Sequence, residues 1–248
     1  MAIAWAARRD LARIGPRRAT QAGDWTRTPA AVEVITASAT DALLLKLMGE
    51  DDKVGIDVPL GWPDEFVEFV AAHRDGTKLP TCDRSVLRLR ETDRFVNART
   101  RQWPLSMSAD RIAIPAMRAA TLLAALAERG EPVDRAGTGR VVDVYPAAAL
   151  KVWGFAASGY KRKEGRARGK LLTDLAERTR EWLDLSASVY AACETSDDVL
   201  DAVVAALVAR AAAVGLCESI PVALHERARR EGWIALPTPG SLARLARA

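Results

Sequence analysis

The sequence predicts an α/β fold built on a mixed sheet, and three observations carry that expectation. Two short apolar runs, KVGIDVPLGWP at Lys53–Pro63 and VVDVYP at Val141–Pro146, read as buried strands, each holding one acid and each halted by a proline. Segments of helical length and pattern lie before, between and after them, so strands and helices alternate along the chain. No Gly/Ser-rich linker separates independent units and no internal repeat is visible. One domain is therefore expected over residues 1–248, with residues 62–140 inserted within it.

Taken in order, Ile3–Ala7 opens a first strand that ends at Arg8-Arg9-Asp10, and Ala19–Trp25 is a candidate second strand. Val32, Val34 and Thr36 alternate as a third. Ala39–Gly49 has Thr40 as N-cap, Asp41 in its first turn and Gly49 as its stop, which predicts a helix. Val54–Val58 is the strand that ends on Asp57. Asp64–Arg74 is an amphipathic helix with Phe66, Val67, Phe69 and Val70 on its apolar side. Gly76–Arg101 is polar and arginine-rich without a clear period, and Ile112–Arg129 is apolar and helical up to Gly130. After the Val141–Tyr145 strand come a short helix at Ala147–Trp153 and a basic segment, Tyr160–Lys170, leading into a helix that runs to about Arg180. Ser196–Gly215 carries the strongest helix signature: Ser196 as N-cap, Asp197 and Asp198 at the positive end of the dipole, Gly215 as terminator. Glu231–Pro237 (EGWIALP) reads as a short edge strand.

Composition narrows the function classes. With 49% apolar and 27% charged residues the chain is globular, and a formal charge of +4 leans mildly towards polyanionic partners. Cys82, Cys193 and Cys217 are widely spaced, and His73 and His225 are the only histidines. Disulfide frameworks, zinc sites of the usual ligands and Cys/His nucleophilic pairs are all poorly served by that inventory. No apolar run approaches membrane-spanning length and Met1–Asp10 lacks the apolar stretch of a secretory signal, so a cytoplasmic protein without a membrane partner is expected.

The chemistry points to carboxylates. An acid at the end of a buried strand, such as Asp57, is poorly solvated and calls for a partner: a base, backbone N–H groups or a cation. Asp198 and Asp201 lie one helical turn apart, and Asp201 precedes AVVAALVARAAAVG, apolar nearly all round and hence buried. Carboxylate oxygens suit hard cations such as Mg²⁺, and two ions held by such a cluster serve phosphodiester hydrolysis. The plainer role for Asp197, Asp198 and Asp201 is to complement a helix N-terminus. Asp143, mid-strand and on the opposite face from Val142 and Val144, reads as a supporting acid. Arg84, Arg88, Arg90 and Arg94 in the insertion, with aspartates beside Arg84 and Arg94, are candidate phosphate contacts, as is Lys161 in GYK. The Lys161–Lys170 run as a whole reads rather as a solvated face than as a phosphate contact, and Trp62 and Trp103 as core residues rather than base-stacking platforms.

Several separated motifs, in order, also carry a resemblance. VGIDVPLGWP, CDRSVLR, TDRFV, RQWPLSMSADRI, VVDVYPAAAL, GYK, SDDVLDAVVAALVARAA and EGWI are together similar to a bacterial family of uncharacterised proteins with the features of ribonuclease H-like nucleases, over about Ala31–Pro237. The late helix DDVLDAVVAA resembles the ending of Holliday-junction resolvases. The resemblance implies a ribonuclease H-like mixed sheet flanked by helices, with a helical, arginine-rich insertion after the fourth strand. It makes Asp57 the fourth-strand acid, Asp198 and Asp201 the late-helix pair, and Asp10 the acid ending the first strand, although Arg8-Arg9 stand where that family has an apolar residue and glycine. The implied activity is Mg²⁺- or Mn²⁺-dependent hydrolysis of nucleic acid, with Asp57, Asp198, Asp201 and Asp10 as metal ligands. The rival expectation is a non-catalytic nucleic-acid-binding or scaffold protein on the same fold with an eroded first strand.

Overall fold

The computed structural model describes residues 2–6, 11–16, 30–36, 39–50, 53–107, 110–162 and 165–247. The strands β1 (Ala2–Ala6), β2 (Leu11–Pro16), β3 (Ala30–Thr36), β4 (Lys53–Asp57), β5 (Val141–Asp143) and β6 (Leu183–Asp184) form one mixed sheet in the order β5-β4-β1-β2-β3-β6. β1, β2 and β3 are antiparallel neighbours; β4 lies parallel to β1, β5 parallel to β4, and β6 parallel to β3. The helices in chain order are α1 (Asp41–Glu50), α2 (Asp64–Arg74), α3 (Arg84–Arg88), α4 (Glu91–Thr100), α5 (Asp110–Glu128), α6 (Pro146–Val152), α7 (Arg166–Thr179), α8 (Ala187–Thr195), α9 (Asp197–Ala213), α10 (His225–Glu231) and α11 (Ser241–Arg244). Parallel neighbours need a crossover, and α1 supplies the one that brings β4 back beside β1. Among the described residues no helix is long and apolar enough to cross a membrane.

Two cores cover the two faces of the sheet. Val54, Ile56 and Val58 pack with Leu44, Leu47 and Met48 of α1 and with Leu122 and Leu126 of α5. Because side chains alternate, Gly55 and Asp57 face the other way, towards α9. That helix lies across β1, β4 and β2 and is buried on every side from Val199 to Ala209. A helix so apolar all round has no stable place except inside the protein. Its start is fixed by Ser196, whose hydroxyl accepts the Val199 N–H at 3.3 Å.

Several expectations are corrected. The second strand is Leu11–Pro16; Ala19–Trp25 lies outside the described residues. A register shift between Leu11 and Ala12 breaks the pairing there, and Gly15-Pro16 ends it, so no clean alternation marks the strand. Gly76–Arg101, without an apolar period, contains α3 and α4, which are held by their caps: Asp83 accepts the Ser85 N–H at 2.6 Å and Asp93 accepts the Arg90 N–H at 2.9 Å. Glu231–Pro237 forms no strand. Ile234 bridges Asp143 and Pro237 bridges Cys217, singly, because the Ile234 N–H is taken by the Thr92 hydroxyl at 2.8 Å.

Candidate carboxylate site

Asp57 ends β4, and its position depends on two close backbone approaches. A Cβ on Gly55 would stand 2.7 Å from the Ala205 carbonyl oxygen, so only glycine lets α9 lie this close to the strand. A Cβ on Gly61 would meet the Arg230 carbonyl oxygen at 2.6 Å, so the turn after Asp57 is pressed against the end of α10. Asp57 thereby sits half-buried at the strand end, and Asp201 projects from the second turn of α9 with 1% of its surface exposed.

Asp201 is satisfied on both oxygens. The Tyr160 hydroxyl donates to Oδ1 at 2.6 Å, and the Lys161 ammonium lies 2.5 Å from Oδ2. Tyr160 is buried, whereas the Lys161 side chain is half-exposed. Arg168 holds this segment in place: its guanidinium donates to the carbonyls of Tyr160 (3.2 Å), Glu194 (2.9 Å) and Thr195 (3.4 Å), tying it to the C-terminal end of α8. Sequence reasoning placed Arg168 in a solvated basic run, yet it is 6% exposed. Neither Arg168 nor Tyr160 carries a signal in its spacing that separates it from its exposed neighbours; both are found only through their partners.

The electrostatics follow from two carboxyls and one ammonium sharing a poorly hydrated space. Burial and the neighbouring Asp201 push the Asp57 carboxyl well above the usual carboxylate range; Lys161 opposes this, and Asp143 and Asp198 add to it. Burial raises Asp201 as well, against the pull of Lys161 and Tyr160. For Lys161 burial works against the charge, but Asp201 and Asp57 outweigh it and hold the ammonium protonated. Tyr145 lies beside the group: burial raises its hydroxyl, with Lys161, Asp57 and Asp201 all felt.

The structure therefore brings Asp57, Asp201 and Lys161 together. Asp198, one turn earlier on α9, is half-exposed and acts on Asp57 only as the weakest of these influences. Asp10 lies outside the described residues. Among the described residues no group of three or more His, Cys, Asp or Glu side chains is gathered to hold a metal ion. The donor chemistry of the pair, two carboxyl groups, is nonetheless of the kind a hard divalent cation takes.

The insertion's arginines divide. Arg84 and Arg88 are exposed on α3. Arg94 is half-buried, ion-paired with Glu91 at 3.3 Å and donating to the Ser85 and Leu89 carbonyls. Arg90 is no surface contact at all: 1% exposed, it bridges Asp143 (2.7 Å) and Asp93 (3.0 Å) and donates to the Glu231 carbonyl (3.3 Å). The expectation that it meets phosphate is corrected by that burial, and Asp143 is its structural partner.

Fold and site together define a mixed α/β protein with paired aspartates where a central strand end meets a buried helix. The chain belongs to the DUF429 family, described as a protein of unknown function, whose model matches residues 5–226. No curated protein and no solved structure matches it.

Proposed function

We propose that the protein is a Mg²⁺- or Mn²⁺-dependent nuclease on a ribonuclease H-like fold, hydrolysing phosphodiester bonds in nucleic acid. One observation carries the reading: Asp57 at a strand end and Asp201 on a buried helix share one partly buried space, where Asp201 raises the proton affinity of Asp57. Such a pair is electrostatically costly by itself and has its use where a cation is held. The chain order also agrees with the resemblance: strands, a helix, a fourth strand bearing an acid, then a late acid-bearing helix.

In this reading Asp57 and Asp201 hold the ion, with Asp198 beside them. A bound divalent cation supplies activation of a water and stabilisation of charge on the leaving oxygen. Tyr160 fixes Asp201 through Oδ1, and Arg168 fixes Tyr160 through its carbonyl. Arg84 and Arg88 contribute positive charge for positioning the nucleic-acid backbone.

A second reading, a non-catalytic nucleic-acid-binding or scaffold protein, is favoured by the Lys161–Asp201 ion pair, which already neutralises the buried acid. Two measurements on the parent and Asp57→Asn separate them. For the nuclease, labelled single-stranded, duplex and branched substrates are cut by the parent with Mn²⁺ or Mg²⁺ and not by the variant. Relieved of repulsion, the variant also melts higher than the parent in chelator, by about 2–4 °C for each kcal/mol gained, and responds less to metal. A parent that neither cuts nor gains stability with metal returns the protein to the scaffold reading.

A further inference from the structure

Trp103 is an aromatic side chain left in solvent on a segment that is otherwise clamped. Its side of α4 ends at Arg101, a non-glycine residue in left-handed conformation (φ 57°) whose N–H is held by the Asn97 carbonyl at 2.8 Å. The Gln102 N–H goes to the Thr100 hydroxyl at 3.2 Å, the Trp103 carbonyl accepts from the Tyr145 hydroxyl at 3.2 Å, and the Ser106 hydroxyl donates to the Arg88 carbonyl at 3.2 Å. Three backbone ties and a fourth through the Ser106 side chain hold residues 101–106, and a bulky residue in the left-handed region is strain that surrounding structure must hold. Yet Trp103 remains 54% exposed. A protein that fixes a tryptophan's backbone while leaving its ring uncovered offers a rigid apolar plate at small entropic cost.

Its location gives the plate an occupant. Tyr145, which donates to the Trp103 carbonyl, lies two residues past the end of β5 and feels the charges of Asp57, Asp201 and Lys161. Tyr145 thus ties the Trp103 segment to the carboxylate site, and two exposed cations belong to the same ties: Arg101, two residues before Trp103, and Arg88, whose carbonyl holds Ser106. Flat aromatic surface, exposed guanidiniums on the same clamped segment and a site proposed to act on phosphodiesters match one chemistry: an unpaired base on a charged backbone. Leu105, two residues on and as exposed as Trp103, adds apolar area, but the exposed cations Arg88 and Arg101 of this segment favour a polyanion over an apolar protein face.

We propose that Trp103 is a stacking platform for an unpaired nucleobase, so that the substrate at the carboxylate site is single-stranded or locally unpaired nucleic acid. This rests on the nuclease reading for the site, not for the binding itself. Stacking needs the ring face and tolerates any base, so the platform selects strand state rather than sequence.

The test measures binding, without cleavage, in chelator. Three fluorescent probes are used: a single-stranded oligonucleotide, the same sequence as a duplex, and an abasic strand of equal length and charge. The parent is expected to bind the single strand roughly five- to hundredfold more tightly than the abasic strand. Trp103→Ala is expected to bring the two together, and Trp103→Phe to keep most of the preference; equal melting temperatures show that neither change disturbs the fold. If the parent binds single and abasic strands equally, stacking is overturned while the nuclease reading stands. If it binds none of the probes, both fall. If Trp103→Ala leaves binding intact but abolishes a concentration-dependent dimer in sedimentation, the plate is a self-association surface and the inference is overturned.

Discussion

Lys161 places its ammonium 2.5 Å from Oδ2 of Asp201, so a half-exposed side chain provides the counter-charge for a carboxylate with 1% of its side-chain surface exposed. The asymmetry matters because the two members answer to different solvents. Lys161 can leave for water at small cost, whereas Asp201 cannot.

Replacing Lys161 with Gln should therefore destabilise the protein in chelator and sensitise it to metal. Breaking a fully buried pair costs about 3–5 kcal/mol; screening at the exposed lysine reduces this to about 1–2 kcal/mol. Melting in chelator and in excess Mn²⁺ reads both effects. The variant should recover more with Mn²⁺ than the parent does, since the vacated carboxyl then has no competing cation. Equal gains for the two proteins would mean that Lys161 and metal do not compete for Asp201.

The exposed arginines make a separable prediction about salt. Double replacement of Arg84 and Arg88 with Ala should flatten the dependence of log K on log salt by roughly 0.7–0.9 per lost phosphate contact. Arg94→Ala should leave that slope alone and lower stability instead, because its guanidinium is committed to Glu91 and to the Ser85 and Leu89 carbonyls. Titrations at four salt concentrations distinguish the two outcomes; an unchanged slope in the double variant would assign Arg84 and Arg88 to the solvated surface.

The buried triad of Arg90, Asp93 and Asp143 has one guanidinium for two carboxyls. Burial pushes the Asp143 carboxyl up to about 6, against the pull of Arg90 and with Asp93 adding to the rise. The unfolded chain releases this proton near 3.8, the folded protein only near 6. Asp143 therefore favours folding most below the lower value, and its contribution falls as pH rises through the window and is flat above it. Asp143→Asn keeps an acceptor for Arg90 and removes the surplus charge. Urea melts at pH 5 and 7.5 should show a smaller loss on going to the higher pH in the variant than in the parent. Arg90→Met should instead cost about 3–5 kcal/mol, since it strands two buried acids.

Gly55→Ala tests the contact between strand and helix. The added methyl meets a backbone oxygen of Ala205, which cannot rotate away, so the expected loss is about 1–3 kcal/mol. Asp57 is two residues on and on the same face, so the stabilisation by Mn²⁺ should shrink as well. A variant with lowered melting temperature but an undiminished metal response would uncouple the packing from the site.

Much of this was legible in the sequence where one periodicity ruled. Val54, Ile56 and Val58 alternate, so the strand and the facing of Asp57 could both be derived. Ser196 and the apolar run after Asp201 fixed α9 to within a residue or two. What escaped was whatever depends on partners distant in the chain. α3 and α4 rest on caps among polar residues, and Ile234 gives its N–H to Thr92 rather than to a strand. Arg90, Arg168 and Arg94 look alike as letters in basic stretches. Only the carboxylates and carbonyls that the fold brings to them decide that Arg90 and Arg168 are interior and that Arg94 is held in place.

The covering of the sheet by α9 also has a consequence for how the protein comes into being. β1, β2 and β4 belong to the first quarter of the chain, whereas the helix that roofs them lies in the last quarter. On a ribosome the central strands emerge with one apolar face bare and wait for most of the polypeptide before it is closed, a long-range contact of the kind that slows folding and invites association. Asp57 and Asp201 cannot meet earlier. The nascent chain thus has no carboxylate pair until α9 has left the exit tunnel and docked.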